Sequence, residues 1–503
     1  MATAPEDRKS PRPKSPPLRT GVGEYKAFAA EQSNGFTLIR PAITFSLREK
    51  ESNHARLGKR GFPAASMEAF RFGHSLFDIH HSNDENETNI QHRTRNVQGR
   101  LNCPPLPAGE GRGEGECKRF LQRIRQFAIA AILLFISLGQ AVAAEKSSAT
   151  KTQQAIERGA RFLYENQNAA GWWSNAELPA LTALALVALE MADVAKLDAK
   201  YGSERRRALD FIAGSAKPDG SIHRGLLVNY NTACSLMALS LADEPQFRPL
   251  IVKARAYIAG SQIDLGEKGK LDNPHDGGVG YNSKYDHSDM NNTLMAIEAM
   301  RMSELAVHRP DQPDQPLESD LDWKALEHFL ASCQNLPERS NNPNLSNAPK
   351  DRGGFIYHPG ESKAGEIVDE QAKRVALRSY GSISYAGMMS FAYARIGRDD
   401  DRVKAVIDWL GRNYTLDENP GMGAEGVYYY YHLMAKALRA QGVKELAVPD
   451  GKTIDWREAL SAKLIALQQP DGSWQNPTKR WMEGDPNLTT AYVLMALALM
   501  GEK

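Results

Sequence analysis

The chain of 503 residues carries 62 basic and 61 acidic side chains, a formal net charge of +1, and 42% of its residues are hydrophobic. Residues 1–125 hold 21 basic and 14 acidic side chains, so residues 126–503 hold 41 and 47 and are mildly acidic. A mildly acidic domain without a basic stripe argues against nucleic-acid binding.

Residues 1–117 lack a sustained apolar periodicity and are rich in Pro, Gly, Asn and charged residues. Such a composition buries too little apolar surface to offset the entropy that ordering would cost. We therefore expect residues 1–117 to be a disordered or non-native extension.

Residues 118–144 have the order of a secretory signal peptide. Basic residues between Lys118 and Arg125 precede an apolar run from Phe127 to Leu138, and small residues up to Ala144 offer a cleavage site. We expect an exported protein, periplasmic or extracellular, whose natural start lies close to this segment. The alternative is a single membrane anchor, although the apolar run is short for a span.

One motif occurs twice in residues 150–503, which we predict to be a single folded domain. The two copies are Gln167-x-x-x-Gly171-x-Trp173 and Gln468-x-x-x-Gly472-x-Trp474. Each copy follows an amphipathic helical stretch and precedes a more apolar one. The Gln can satisfy carbonyl groups at a helix end, the Gly permits a tight turn, and the Trp packs on the neighbouring helix pair. We interpret the Gln and Trp side chains as staples of the fold.

Six helix pairs are predicted. The second helices share a core pattern whose corresponding positions are Thr182, Thr232, Thr293, Ser384, Tyr431 and Thr489, at steps of 50, 61, 91, 47 and 58 residues. The first helix of a pair is amphipathic, as in residues 156–165, and the second is apolar nearly all round, as in 181–189. A helix that is apolar all round must be buried. The pattern predicts an all-α fold, an (α/α)6 toroid with an inner ring of helices inside an outer ring.

The Q-x-x-x-G-x-W spacing resembles the QW motif of the squalene cyclase and prenyltransferase superfamily, over about residues 150–500. The resemblance implies a double ring of helices with QW-type repeats and a central cavity. If the protein is an enzyme, it implies an isomerase of the terpene cyclase or mutase type, or a prenyltransferase. We predict no cofactor.

The same resemblance singles out the start of one inner helix. Squalene-hopene cyclases carry D-x-D-D-T there, with the middle Asp as proton donor. Here Asp289 matches the first Asp, while Asn291 and Asn292 replace the other two. An amide has no acidic proton to give. The acid motif is therefore degraded, and Asp289 is the candidate catalytic residue.

Functional side chains of such a ring are expected at the starts of the inner helices and in the loops before them. We predict that the cavity is lined by Tyr285, His287, Asn291, Asn292, Tyr380, Ser384, Tyr385, Glu425, Tyr428, Tyr429, His432 and Asp485. Structural roles are the alternative for several of them. An Asn at 291 or 292 is typical of a helix N-cap, and some of the four consecutive tyrosines must be core.

A metal site is not predicted. Protein prenyltransferases of the superfamily hold zinc with Asp, Cys and His, but the histidines here are scattered and no Cys accompanies an Asp at motif spacing. The glycine pairs at 277–278 and 353–354 serve turns, without a phosphate-binding helix. Cys234 and Cys333 are expected to be two buried thiols, since sequence alone does not place them within bonding distance.

Three hypotheses of function follow. The leading one is an exported terpene-cyclase-like toroid whose central cavity binds an apolar or polycyclic ligand, such as a terpenoid or lipid, with turnover left open. The second is a non-catalytic binding or scaffold module of the cell envelope, for which a membrane surface is a candidate partner. The third is a carbohydrate-active (α/α) barrel enzyme with a glycan ligand and acids among Asp289, Glu425 and Asp485. A fold alone does not decide between them.

Overall fold

The computed structural model describes residues 149–193, 195–281, 287–307, 319–369 and 374–500. The predicted extension (1–117), the predicted signal peptide (118–144) and the candidate Tyr285 lie outside the described residues. Within the described ranges, none of the helices combines the length and the apolar character that a membrane span requires.

Twelve α-helices alternate between two rings along the described residues, and we number them in chain order. The odd-numbered helices form the outer ring: α1 (149–165), α3 (Ala195–Ala213), α5 (Arg248–Ala259), α7 (Trp323–Cys333), α9 (Asp401–Arg412) and α11 (Trp456–Ala466). The even-numbered helices form the inner ring: α2 (Pro179–Ala192), α4 (Val228–Ala242), α6 (Met290–Val307), α8 (Gly381–Tyr393), α10 (Val427–Ala440) and α12 (Pro486–Met500). Short 3-10 turns occur at Pro245–Phe247, Pro337–Arg339, Pro449–Gly451 and Arg480–Met482.

The inner helices form a closed ring. Each packs against the next in chain order, and α12 packs back against α2. Inner helices are buried almost all round, as α4 is from Asn229 to Leu241. Outer helices bury one face, as α7 does with Leu326, Phe329 and Leu330. The predicted all-α (α/α)6 toroid is confirmed, and its core is the apolar surface between the two rings.

All six inner helices begin at the same end of the ring. Hydrogen bonds join the first turn of an inner helix, or the loop before it, to its neighbour at every junction around the circle. These bonds are Ala180 N to Asn231 Oδ1 (2.7 Å), Asn229 Nδ2 to Gly280 O (2.7 Å), Met290 N to Tyr357 O (2.9 Å), Ser382 N to Asn419 Oδ1 (2.9 Å), Tyr429 N to Glu483 Oε1 (2.7 Å) and Asn487 Nδ2 to Ser174 Oγ (3.3 Å). We call this end the starting end of the inner ring.

The two QW turns make the contacts that their sequence predicts. Gln167 Nε2 donates to Gly171 O (3.1 Å) within its own turn and to Glu204 O (2.8 Å) in α3. Gln468 Nε2 donates in the same way to Gly472 O (2.9 Å) and to Ala155 O (2.9 Å) in α1, which joins the last turn to the first helix. The role of the two glutamines as staples is confirmed.

The tryptophans of the two motifs are equally alike. Trp173 and Trp474 are buried, and their indole N–H groups donate to Leu163 O (2.7 Å) and Leu464 O (2.8 Å), each near the end of the preceding outer helix. A large buried ring with its only polar atom satisfied contributes packing without a desolvation cost. Both tryptophans are structural, as predicted.

Two further copies of the glutamine staple escape detection in the sequence. Gln262 Nε2 donates to Gly277 O (2.8 Å) and to Asp322 O (3.0 Å) at the start of α7. Gln334 Nε2 donates to Gly353 O (3.0 Å) and to Arg402 O (2.8 Å) in α9. Insertions between the Gln and the Gly hide these copies, because the spacing of four residues is lost while the contact is kept.

A glycine with positive φ lies at five of the junctions between helix pairs. The φ angles are 94° at Gly171, 92° at Gly220, 87° at Gly277, 95° at Gly353 and 94° at Gly472. A Cβ atom at any of them would lie 1.9–2.6 Å from a carbonyl oxygen of the next outer helix. Only glycine therefore fits both the backbone conformation and the close approach.

The residue two positions after each of these glycines is fixed to the following inner helix. The backbone N–H groups of Trp173, Ile222, Val279, Phe355 and Trp474 donate to hydroxyl oxygens of Thr182, Thr232, Thr293, Ser384 and Thr490. The repeat pattern in the sequence predicted Thr489 at this position instead of Thr490, which is wrong by one residue. It also aligned Tyr431, whose hydroxyl instead donates to Leu416 O (2.6 Å).

The loops between the helices contain two antiparallel β-hairpins. Neither was predicted from the sequence. β1 (Glu366–Asp369) pairs with β2 (Arg374–Leu377) before α8, with Glu366 opposite Leu377. β3 (Glu445–Val448) pairs with β4 (Lys452–Asp455) before α11, with Glu445 opposite Asp455. Four-residue strands are too short for a period-two pattern to stand out.

Cys234 in α4 and Cys333 in α7 are both buried and free. The prediction of two separate thiols is confirmed.

Replacing Gly353 by Ala should destabilise the fold by about 2–5 kcal/mol, because the new methyl group meets a carbonyl oxygen and the left-handed backbone is strained as well. Gly442→Ala is the matched control, since Gly442 has a φ of 63° but no atom within 4 Å of the added Cβ. The control should cost only about 1–2 kcal/mol. Urea unfolding measures both; equal losses would show that the close approach is not what the glycine serves.

Candidate functional site

Asp289 caps the start of α6. Its Oδ1 accepts the backbone N–H groups of Asn291 (3.0 Å) and Asn292 (2.8 Å), and its Oδ2 accepts the Asn292 side-chain amide (2.9 Å). The expectation that Asn291 or Asn292 is the cap is therefore wrong. Helix α6 begins at Met290, so both asparagines lie inside its first turn.

The Asp289 carboxyl is fully buried. Burial raises its pKa to about 7, although the hydrogen bonds from Asn292 and Asn291 lower it. The carboxyl can therefore exchange a proton near neutral pH. Both of its oxygens are nevertheless engaged by the first turn of its own helix.

Asn291 bridges two inner helices that are not neighbours in the ring. Its Oδ1 accepts the hydroxyl of Tyr429 (3.2 Å) from α10, although α8 lies between α6 and α10 in ring order. Its Nδ2 is buried and has no hydrogen-bond partner among the described residues. An amide donor, and no acid, therefore stands where the cyclase motif places its proton donor.

Two more buried polar atoms near Asp289 have no partner among the described residues. They are Oδ1 of Asn292 and the hydroxyl of Tyr380, which directly precedes α8. The Asp289 charge contributes to the raised pKa of both Tyr380 and Tyr429, so the three groups lie close together. We call Asp289, Asn291, Asn292, Tyr380 and Tyr429 the asparagine cluster.

A second bridge crosses the ring beyond the asparagine cluster. Lys436 Nζ of α10 contacts Glu298 Oε1 of α6 (3.3 Å), and Tyr393 of α8 donates its hydroxyl to the same oxygen (2.8 Å). Lys436 and Glu298 are fully buried, and burial drives the pKa of Lys436 well below its usual 10.5. Contacts at two levels thus join α6 to α10 inside the ring.

Sequence reasoning missed Glu483, a buried carboxyl at the start of α10. Its oxygens accept the backbone N–H groups of Tyr429 (2.7 Å) and Tyr428 (3.3 Å) and the side-chain amide of Asn476 (2.6 Å). Burial raises its pKa to about 7. The one signal in the sequence that could have indicated Glu483 is its place two residues before Asp485, which was predicted as a cavity-lining acid instead.

The other predicted acids have structural contacts. Asp485 accepts the backbone N–H of Asn487 (2.9 Å) in the first turn of α12. Glu425 is partly exposed and forms an ion pair with Arg480. Among the described residues, no hydrogen bond or ion pair joins any two of Asp289, Glu425 and Asp485.

All four consecutive tyrosines belong to the core. Tyr430 and Tyr431 donate their hydroxyls to Thr415 O (2.9 Å) and Leu416 O (2.6 Å) in the preceding loop. Tyr428 packs edge-on against Tyr431 at 5.9 Å between ring centroids. Tyr429 alone reaches α6.

The remaining candidates lie within the fold. Ser384 receives Phe355 N–H (3.0 Å) and donates to Tyr380 O (2.8 Å), so it is a structural hydroxyl. Tyr385 packs against Tyr430 at 5.5 Å. His432 is buried against Tyr492, and burial lowers its pKa to about 3. These three side chains do not join the asparagine cluster.

His287 belongs to a group of three half-buried histidines next to the asparagine cluster. Its ring centroid lies 4.8 Å from that of His358 and 6.1 Å from that of His275, which were not predicted. Glu361 and Lys363 border the group, with Glu361 Oε2 3.3 Å from His358 Nε2. Among the side chains that the structure describes, no group of three or more His, Cys, Asp or Glu is placed to hold a metal ion.

The chemistry open to the asparagine cluster is hydrogen bonding. An amide N–H, an amide oxygen and a phenol can bind a neutral oxygen-containing group. A carboxyl of pKa about 7 is far too weak an acid to protonate an alkene, and the Asp289 oxygens are already engaged. The cluster is suited to recognition.

No protein-family model matches the sequence, and no curated protein matches it either. Solved structures with a similar arrangement include the type II terpene cyclase MstE from Scytonema, at 13% identity and a TM-score of 0.42 over 70% of this chain and 98% of the cyclase. The α-1,6-mannanase GH76A from a Salegentibacter species has 10% identity and a TM-score of 0.43 over 69% and 99%. A protein from Actinoplanes has 16% identity and a TM-score of 0.39 over 70% and 100%.

The cyclase has also been solved with geranylgeranyl dihydroxybenzoate, and an inactive variant of the mannanase with α-1,6-mannotriose. These ligands belong to those proteins. At these identities and TM-scores the likeness assigns no activity to this chain.

Asp289→Asn should flatten the pH dependence of stability. The unfolded carboxyl has a pKa near 3.8 and the folded one about 7. Between these values only the folded state keeps the proton, so the wild type loses stability as pH rises, by up to about 1.4 kcal/mol per pH unit for this group. Glu483 adds a slope of the same sign.

The variant keeps the cap, since Asn caps helices well, and should lose about half of the slope. Urea unfolding at several pH values between about 4 and 7 measures it. Parallel profiles of variant and wild type would contradict the assignment.

Proposed function

We propose that the protein binds an apolar or polycyclic molecule carrying a neutral oxygen at the starting end of the inner ring, without cyclising a polyene. The observation that carries this proposal is the set of buried, unpartnered polar atoms on Asn291, Asn292 and Tyr380. Each such atom costs about 1–3 kcal/mol if it stays unsatisfied. A ligand oxygen would satisfy them, and buried polar groups are normally satisfied.

The surroundings favour a largely apolar ligand. Tyr380 contributes to the raised pKa of both Tyr357 and Tyr429, so the three rings lie close together, and all three are buried. Aromatic rings offer wide apolar surfaces. The Asp289 carboxyl beside them disfavours a ligand anion, so a hydroxyl or carbonyl group fits better than a carboxylate or phosphate.

The carbohydrate-enzyme alternative has less support. Catalysis on a sugar needs two carboxyls facing the scissile bond. Asp289 and Asp485 instead cap their helices, and Glu425 is held by Arg480.

Export belongs to this proposal as well. The signal-like order of residues 118–144 supports it, and an envelope location would bring the ring close to lipids. Recovery of a mature N-terminus near Ala144 from the native protein tests export, and retention of the apolar run would favour the anchor instead.

The wild-type full chain should bind farnesol about tenfold more tightly than the hydrocarbon farnesene, which differs in lacking the hydroxyl. Tyr380→Phe should remove most of this preference. Tyr414→Phe is the matched control, because it deletes another unpartnered buried hydroxyl outside the asparagine cluster. Competition against a fluorescent lipid measures the affinity of each of the three proteins for both probes; equal binding of the two probes by the wild type would overturn the proposal.

The wild type should give no cyclic triterpene from squalene, because Asn291 has no proton to donate. Asn291→Asp with Asn292→Asp rebuilds D-x-D-D-T, but other residues must still desolvate the acid and fold the polyene. Gas chromatography with mass spectrometry detects the products. Hopene from the unmodified chain would place an acid elsewhere, and Asp289→Asn would be the first variant to examine.

A further inference from the structure

A pocket of about 400 Å³ opens on the outside of the ring, beside the first QW turn. Its volume is within the range of small-molecule sites. It lies between the turn after α1, the last turns of α3 and the loop before α4. Its walls include Trp172, Arg207, Asp210, Phe211 and Arg224.

Elsewhere in the ring, the repeated turn is built without a tryptophan at the position of Trp172. The residue directly after the turn glycine is Ser221, Gly278, Gly354 or Ser473 at the other four junctions. Trp173, one position later, makes the stapling contacts. Trp172 is partly exposed in the pocket wall. The first junction thus carries a large aromatic side chain where the other four carry Ser or Gly. The exposed part of this side chain offers a surface for a ligand.

Arg207 also differs from Arg158, the corresponding residue at the second QW turn. Both Arg207 and Arg158 carry the carbonyl oxygen that lies against a turn glycine. Arg158 Nη2 donates to Gln469 O (2.7 Å) and Pro470 O (3.2 Å) of that turn. Arg207 Nη2 contacts side chains instead, Gln167 Oε1 at 3.0 Å and Glu204 Oε1 at 3.4 Å, and its buried Nε has no partner among the described residues.

Arg224 completes a cationic wall. Its guanidinium lies 4.5 Å from the ring centroid of Phe211, and its Nε donates to Ser215 Oγ (3.2 Å). Stacking on the aromatic ring holds the Arg224 guanidinium in place, while its two terminal nitrogens remain available to donate hydrogen bonds to a ligand. Asp210, the one acid in the wall, is paired with Arg206 at 2.5 Å. The pocket therefore presents positive charge beside an aromatic surface.

We propose that this pocket binds an acidic sugar, a pyranose ring that carries a carboxylate. The carboxylate would accept two hydrogen bonds from Arg224, for which a guanidinium fork is suited, and the sugar ring would lie against the indole of Trp172. Arg207 adds charge at the opposite wall. The pocket shares no residue with the asparagine cluster, so failure of this proposal would leave the ligand proposal for that cluster untouched.

The test is calorimetric titration of the purified full chain with digalacturonate, and with maltose as the neutral disaccharide. Digalacturonate should bind saturably and maltose should not. Trp172→Ser, which restores the residue type of the other turns, and Arg224→Gln should each weaken binding about tenfold or more. The melting temperature of Trp172→Ser should stay close to that of the wild type.

Arg457→Gln is the matched control, because Arg457 also stacks on an aromatic ring, that of Trp456 at 4.4 Å, away from the pocket. Its affinity for digalacturonate should equal that of the wild type. Absence of digalacturonate binding, equal binding of maltose, or full affinity in a folded Trp172→Ser variant would each overturn the proposal. If Arg224→Gln does not fold, Trp172→Ser still decides the outcome.

Discussion

The close approach of a turn glycine to the carbonyl oxygen of the next outer helix is the contact on which the ring depends. It occurs at five junctions with φ angles between 87° and 95°. A closed ring accumulates any error in the angle between successive helix pairs, so each junction must be nearly the same. Glycine sets the distance between pairs, and the N–H two residues later ties the turn to a Thr or Ser of the inner helix. At four of the five junctions a glutamine amide also ties the turn to the next outer helix. The three contacts fix one rigid unit that the chain repeats.

The pair formed by α9 and α10 departs from this unit, and the departure lies next to the candidate site. There, Asn419 in the loop before α10 binds Ser382 of α8, and the hydroxyls of Tyr430 and Tyr431 hold the same loop through its carbonyl groups. Stabilisation has moved from the turn to the tyrosines of α10. Tyr429, the residue before these two tyrosines, contacts Asn291 of α6. Local rules are most often broken where a protein uses a segment for something besides folding.

The sequence predicted contacts that are local and missed those that join distant parts of the chain. The double ring followed from helix periodicity and from two motifs with intact spacing. Gln262 and Gln334 were hidden, because insertions change the distance along the chain to the glycine without changing the distance in space. Asp289 was predicted as a candidate catalytic residue, whereas its contacts are those of a helix cap. That role depends on the residue at which α6 begins, a boundary that propensities define poorly. The partners Lys436 and Glu298 are 138 residues apart in the chain, so no local pattern could pair them.

The two bridges between α6 and α10 explain how polar atoms can stand unpartnered in an apolar ring. A buried ion pair such as Lys436 with Glu298 gains little net stability, because desolvation offsets most of the attraction. Its geometric effect is larger, since an apolar ring of similar helices could otherwise slide by a turn at low cost. Tyr393 binds the same Glu298 oxygen and so ties α8 to the other two helices. The contacts at Glu298 hold α6, α8 and α10 in register, and in this arrangement Asn291, Asn292 and Tyr380 keep buried polar atoms without partners among the described residues. The proposed ligand would use this hydrogen-bonding capacity.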